Sequence, residues 1–487
     1  MSPVSRRADL EGLLGHPLSD AQWAAVSAPV EPAVIVAGAG SGKTSVMSAR
    51  MAWLVIEGLA DPGAILGLTF TTKAAAELLR RTRRLLDGRD PDGEMPTVLT
   101  YHAFAARIIA DYGIRVGLEP GAAVLTDGAR ESLALDVVRT TSLPLADLDR
   151  APATLASSLL AFDNQLAELG LHPQAVLDDA LDLIAWLGAD EASLQVIGRE
   201  MLATARVRAA LVGLVEEFRV AKAERQALDF ADQIRWANLL VASSPDVREE
   251  LRERYRFVLL DDYQDTSVAQ RMLMQAAFGD QHPVTAVGDP CQSIYEWRGA
   301  SVDNIDRFPE HFPAARGPAP RYTLEENRRS APRILDLANA MSQRLRDAHP
   351  GVAALVPAAS DKGDGVVTCA LLPTFGEEVA WVGERIERIG RDQGGWSGIA
   401  VLARTGETLR AVDRELRSRG IPTHAVGIAG LLDVPVVAEL RAMLEVIDDP
   451  TANDACVRLL TGPRWRIGPR DLAALGRLAR ELVRAAP

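Results

Sequence analysis

Ala37-Gly38-Ala39-Gly40-Ser41-Gly42-Lys43-Thr44 follows directly on the apolar run Pro32-Ala33-Val34-Ile35-Val36. A buried strand that opens into alternating glycines and then Lys-Thr reads as a phosphate cradle. Gly38, Gly40 and Gly42 let the backbone bend so that successive N–H groups point at phosphate oxygens. Ser45–Leu54 then begins a helix whose positive end faces the same phosphates. Lys43 is placed to reach the β- and γ-phosphates, and the Thr44 hydroxyl to bind Mg²⁺. Ala37 stands where the usual pattern has its first glycine, and the loop Ala37–Thr44 with Ser45 is the candidate nucleotide contact.

The composition narrows the class. The chain has 487 residues, 48% hydrophobic and 24% charged, enough for two to four globular domains. No apolar run has the length of a membrane span, and the first residues, MSPVSRRADLEGLL, lack a signal-peptide core. The three cysteines, Cys291, Cys369 and Cys456, are widely spaced, and the seven histidines show no ligand spacing. A disulfide framework, a zinc site and an iron–sulfur cluster are therefore not expected, and the cytoplasm is the expected compartment. Of 53 basic residues only Lys43, Lys73, Lys222 and Lys362 are lysines. A compact ammonium fits a phosphate cradle better than a planar guanidinium, so Lys43 and Lys73 read as chosen for chemistry. The net charge of −13 is uneven: residues 131–200 carry 12 acidic residues and 3 arginines, leaving room for a basic groove elsewhere.

Short apolar strands alternate with helical stretches over residues 1–110, at Ala33–Ala37, Leu66–Phe70 and Thr97–Thr100. This is the pattern of a parallel α/β sheet. Residues 111–225 are Ala/Leu-rich and helical, an insertion. Strand signals return at Arg256–Leu260 and Val284–Val287, so the same sheet resumes over 226–310. The Pro/Gly-rich stretch Phe312–Tyr322 marks a boundary, after which 311–429 reads as a partial second α/β domain with strands near Gly365–Leu371 and Gly398–Ala403. Residues 430–487 read as the start of a further helical domain.

Val258-Leu259-Leu260-Asp261-Asp262 is a strand ending in acids, where a nucleotide-bound metal and the γ-phosphate would lie. Asp261 is the candidate metal ligand and Asp262 the group that polarises the attacking water. After the next strand, Gln292 is the candidate γ-phosphate sensor. Tyr295 and Trp297 alternate with polar residues on the same loop, as base-stacking residues would.

Taken in order, these stretches resemble the UvrD/Rep-type superfamily 1 DNA helicases, from about residue 18 to about residue 470. Leu18-Ser19-Asp20-Ala21-Gln22 is similar to the family's adenine-reading motif, which implies that Gln22 bonds the base. Thr69-Phe70-Thr71-Thr72-Lys73 and Thr100-Tyr101-His102-Ala103-Phe104 resemble the strand-tracking motifs Ia and Ib, implying that Phe70, Lys73 and His102 face DNA with Tyr295 and Trp297. Leu228-Asp229-Phe230-Ala231-Asp232 matches the turn before motif II. Leu324-Glu325-Glu326-Asn327-Arg328-Arg329-Ser330 resembles motif IV, with Arg329 as the γ-phosphate arginine across a cleft between two α/β domains. Val401–Thr405 and Gly420–Pro422 fit the second motor domain.

The chain also departs from the family. Motif II reads Asp261-Asp262 where Asp-Glu is usual, which shortens the second carboxylate by one methylene, about 1 Å. Arg328 stands where a tyrosine stacks on adenine, Ser45 where a basic residue is usual, and Glu296 where a small residue is common. Motifs V and VI are not found between Ser342 and Pro487, so the resemblance implies an N-terminal part of such a motor. The activity implied is that of an ATP- and Mg²⁺-dependent 3′–5′ helicase or translocase, weakened in this chain. Lys43, Asp262, Gln292 and Arg329 are its catalytic set, with Gln22, the loop Ala37–Ser45 and Arg328 holding nucleotide. The implied partners are single-stranded DNA and its junctions with duplex, and either a protein partner or a missing C-terminal half, with no membrane. The rival reading is a degenerate motor-like subunit that binds nucleotide or DNA to regulate a partner in DNA repair. A small-molecule P-loop kinase is disfavoured, having no use for Trp297 or the motif Ia stretch.

Overall fold

The computed structural model describes residues 3–87, 94–119, 121–145, 150–358, 363–426 and 434–485. The chain forms two compact units, Met1–Val367 and Thr368–Pro487. The first is built on β1 (Ala33–Ala37), β2 (Ile65–Thr69), β3 (Thr97–Thr100), β4 (Ala123–Val124), β5 (Ala227–Leu228), β6 (Phe257–Leu260), β7 (Val284–Gly288), β8 (Arg321–Leu324), β9 (Glu326–Asn327) and β10 (Val356–Pro357). Six of these form one sheet in the order β3-β2-β6-β7-β1-β8, every pairing parallel. β4 pairs with β5, and β9 with β10.

The inner strands are apolar on both faces because helices cover both. Val34, Leu66, Leu68, Val258, Leu260, Val284 and Ala286 point to one core, with Phe104, Ile234, Leu240, Leu273 and Phe278. Their neighbours Ile35, Ala37, Ile65, Phe257, Leu259 and Val287 point to the other, with Val46, Met47, Met51, Leu54 and Leu78. Each fully buried Val, Leu or Ile contributes about 1.5–3 kcal/mol, so the strand alternation locks the register. A separate core of Leu133, Val137, Leu159, Leu166, Leu214, Val215 and Phe218 holds the helical insertion together.

All six sheet strands run the same way, so their C-terminal ends make one edge. The expected strands Ala33–Ala37, Thr97–Thr100, 256–260 and 284–287 are present within a residue, and Leu66–Phe70 is shifted by one. Phe312 and Ala319 are buried in the first core, and β8 extends the first sheet beside β1. The first compact unit runs on to Val367.

In the second unit, the helices Phe375–Gln393 and Gly406–Ser418 pack through Ile386, Val412, Leu416 and Ile421. The strands expected near 365–371 and 398–403 are not formed. Those stretches form no ladder among the described residues, and Leu371 and Leu402 are 99% and 93% exposed. A parallel strand needs a neighbour brought alongside by a crossover, and apolar composition alone does not supply one. The helical character expected after 430 is present in the helices Pro435–Asp448, Asn453–Thr461 and Pro469–Ala485.

Candidate functional site

The phosphate loop leaves β1 at Ala37 and enters the helix Lys43–Ile56 through Gly42, whose φ of 91° is left-handed. Gly40 is also left-handed, at φ 72°, and a Cβ there would lie 2.5 Å from Asn327 Nδ2 and 2.8 Å from Arg329 Cβ. Only glycine meets both demands at that position. Ser41 Oγ donates to the Gly38 carbonyl at 2.8 Å and Lys43 Nζ to the Ala37 carbonyl at 3.2 Å, so the loop is bent into a closed cradle. Thr44 and Ser45 lie half-buried in the first turn of the helix. Burial lowers the Lys43 pKa; Asp289, Asp262 and Asp261 oppose that shift, and Arg329 adds to it. The cradle lysine therefore sits in the field of all three acids.

β6 leads into Asp261, which is 3% exposed, and its Oδ1 accepts the Asp262 N–H at 3.1 Å. Burial, reinforced by Asp262, pushes the Asp261 pKa up to about 7. Asp262 is itself left-handed, at φ 47°, a conformation that Asp tolerates better than most residues. β7 leads into the buried Asp289, which accepts Cys291 N–H at 2.9 Å and the Gln292 side-chain amide. Gln264 Oε1 in turn accepts Asp289 N–H at 3.0 Å. Gln292 is thus oriented by Asp289, and Asp289 by Gln264. Neither Asp289 nor Gln264 stood out in the sequence; an acid at the end of an apolar strand was the available signal.

β9 and the residues that follow it close the other side of the loop. Asn327 is 2% exposed, donates to the Ala39 carbonyl, and accepts Arg329 N–H at 2.9 Å and Ser330 N–H at 2.7 Å. Arg328 N–H donates to the Gly40 carbonyl at 3.0 Å. Arg329 therefore lies within the first unit, beside the phosphate loop. The Arg328 guanidinium reaches the Pro17 carbonyl at 2.7 Å and Glu326 Oε1 at 3.1 Å. Gln22 donates to the Ser41 carbonyl at 2.9 Å and accepts Ser19 N–H at 3.0 Å, joining its helix Asp20–Val26 to the loop.

The same sheet edge is aromatic at its other end. Phe70, just past β2, packs against Tyr295 with centroids 4.5 Å apart and the rings tilted by 35°, and Tyr295 lies 6.5 Å from Trp297. Trp297 is 73% exposed, with the Arg298 guanidinium 4.7 Å from its centroid. Lys73 is exposed in the first turn of the helix Thr72–Leu86, which Thr71 caps. His102, after β3, packs edge-on against Phe230 at 5.8 Å, and burial lowers its pKa. Phe230, 57% exposed, was visible in the sequence only as part of a turn.

The donor set at the cradle suits Mg²⁺. Thr44, Asp261 and Asp262 offer only oxygen, and the two carboxylates are adjacent, with Asp261 buried in surroundings that favour its protonated form. Among the described residues no group of three His, Cys, Asp or Glu side chains could form an all-protein cage. Mg²⁺ is ordinarily held by one or two carboxylates and substrate phosphates, which is the arrangement available here. Among the described residues no helix is long and apolar enough to cross a membrane.

Comparison with known proteins gives two family matches. The UvrD/REP helicase N-terminal domain matches residues 18–313, and the UvrD-like helicase C-terminal domain matches residues 322–484. The second match does not bear out the reading of the chain as an N-terminal part. ATP-dependent DNA helicase UvrD1 of Mycobacterium leprae (strain TN) is 30% identical over 475 residues, 94% of this chain and 56% of that protein. ATP-dependent DNA helicase PcrA of Leuconostoc citreum is 28% identical over 470 residues, 96% of this chain and 58% of that protein. A probable DNA helicase II homolog of Rickettsia felis is 28% identical over 463 residues, 94% of this chain and 64% of that protein. The chain thus spans a little over half the length of the curated relatives it matches.

Proposed function

Because the chain belongs to the UvrD/REP helicase family, we propose that it is an ATP-dependent motor that moves 3′ to 5′ on single-stranded DNA and opens duplex at junctions. The observation that carries this reading is the shared sheet edge. A phosphate loop with its acids stands at one end, and the row Phe70–Tyr295–Trp297 stands at the other. Bases offer a π-face whatever their sequence, and each stacked base is worth about 1–3 kcal/mol.

In this reading Lys43 and the loop N–H groups hold the phosphates, and Arg329 adds charge beside them. Gln22 and Arg328 flank the base side, exchanging their present backbone partners for nucleotide. Thr44 and Asp261 would hold Mg²⁺, which when bound neutralises the charge between the outer phosphates. Asp262 accepts the proton of the attacking water, and Gln292, aimed by Asp289, registers the γ-phosphate. His102, Lys73 and Phe230 extend the single-strand track. The three free cysteines accord with a cytoplasmic setting.

The test is strand displacement from duplexes bearing a 3′ or a 5′ single-stranded tail, with ATP and Mg²⁺. Displacement of the 3′-tailed substrate alone supports the reading, and displacement of the 5′-tailed substrate alone overturns the polarity. Asp262, one methylene short, and Glu296, next to Trp297, favour a second reading. In it the chain grips nucleotide or DNA to regulate a repair partner. Nucleotide and oligonucleotide binding without displacement of either substrate supports that reading instead.

A further inference from the structure

Among the described residues, one lysine is buried outside the nucleotide site. Lys222, near the end of the long helix Val196–Glu224, is 2% exposed. Its Nζ lies 2.7 Å from Asp232 Oδ2, 2.9 Å from Asp229 Oδ2 and 3.5 Å from Asp163 Oδ2. The Phe218 ring centroid is 4.7 Å away. Each carboxylate also has its own arginine: Asp163 pairs with Arg219 at 2.9 Å, Asp229 with Arg130 at 2.9 Å, and Asp232 with Arg235 at 2.9 Å. Lys222 is therefore the hub that joins three ion pairs.

The hub sits where two cores meet. Asp163 and Arg219 lie on helices of the insertion, the former buried beside Leu159 and Leu166. Asp229 and Asp232 form a reciprocal capping box that starts the helix Phe230–Ser243. That helix buries Ile234, Ala237, Leu240 and Val241 in the sheet core. Its first residue is Phe230, exposed and edge-on to His102.

Three carboxylate oxygens converging on one point suit a compact ammonium and not a planar fork. The chain otherwise uses arginine almost everywhere, with only four lysines among its 53 basic residues. Stability alone does not account for the arrangement. Buried ion pairs are weak contributors to it, and their best-attested use is to fix one register. Without Lys222 each aspartate keeps an arginine, while the link between the three pairs is lost.

We propose that Lys222 is a positioning residue for single-strand binding, setting the start of the Phe230 helix against the insertion and thereby the Phe230–His102 pair. This rests on the reading of the chain as a single-strand motor. Lys222 touches no DNA, so it acts through Asp229 and Asp232.

The test uses the full chain and two probes, a fluorescein-labelled oligo(dT) and mant-ADP. Lys222→Met and Phe230→Ala are each expected to weaken oligo(dT) binding about tenfold, the loss of one stacked base. The double variant is expected to lose no more than Phe230→Ala alone, because the two changes remove one interaction. Mant-ADP affinity stays within about twofold, and the salt dependence of oligo(dT) binding keeps its slope because no phosphate contact is lost. Should Lys222→Met not fold, Lys222→Arg replaces it with the same expected loss.

Parental oligo(dT) affinity in a folded Lys222 variant, additive losses in the double variant, or an equal loss of mant-ADP overturns the proposal. Failure of both substitutions to fold makes the cluster a folding requirement and overturns it as well. If the parent chain itself does not bind oligo(dT), the motor reading falls and takes this inference with it. If the parent binds and the variants match it, only the role of Lys222 falls.

Discussion

Beyond strands β1 and β7, and in β9, charged and amide groups are drawn inward and held by named partners: Lys43 on Ala37, Gln292 on Asp289, Asn327 on Ala39. Strands β2 and β3 of the same sheet end near rings that are partly open to solvent, with Trp297 73% and Phe230 57% exposed. In the proposed reading one half takes a ligand of fixed shape and high charge, where desolvation strengthens every electrostatic contact. The other suits a flexible polymer whose bases are gripped by their faces. The contrast predicts that substitutions in each half act on one ligand and spare the other.

Lys43→Ala should have the largest effect, lowering ATP hydrolysis about 10³-fold, the upper range for losing one charge-stabilising group. Oligo(dT) affinity should stay within about twofold, and a matching loss of DNA binding would break the separation between the halves. Asp262→Ala should slow hydrolysis about 10²-fold, as expected for a proton acceptor, while mant-ADP still binds. Trp297→Ala should weaken oligo(dT) binding by about 1–3 kcal/mol and leave mant-ADP titrations unchanged.

The smallest effect is on pH. Asp261 in the folded chain keeps its proton up to about pH 7, well above its ordinary value of 3.8. Binding a divalent cation needs the carboxylate, so Mg²⁺-dependent nucleotide affinity should rise between pH 6 and 8, and Asp261→Asn should flatten that rise. Stability runs the opposite way. The unfolded chain binds fewer protons at this group between pH 3.8 and about 7, so Asp261 costs stability as pH rises through that window. Thermal melts of parent and Asp261→Asn across the window read this sign directly.

The buried half was largely legible in the sequence because its constraints are local. Glycines at fixed spacing, Lys-Thr at a helix start and acids closing an apolar strand each state their role within a few residues. What the sequence did not reveal depends on contacts between distant segments. Asn327 became visible only when it met Ala39, Asp289 when it met Gln292 and Gln264, and Lys222 when three aspartates closed on it. The strands expected at 365–371 and 398–403 fail for a related reason. Their composition resembles that of β1 and β7, but those two pair with each other, while these stretches have no ladder among the described residues.

If the two halves of one sheet edge work together, a strand held by the rings accelerates hydrolysis at the loop. Steady-state ATP hydrolysis by the chain, with and without oligo(dT) and with Lys43→Ala as blank, tests it most directly. The expected result is a rate above the blank that rises with oligo(dT) and saturates. A rate equal to the blank at every oligo(dT) concentration, in a protein that binds both mant-ADP and oligo(dT), would contradict it.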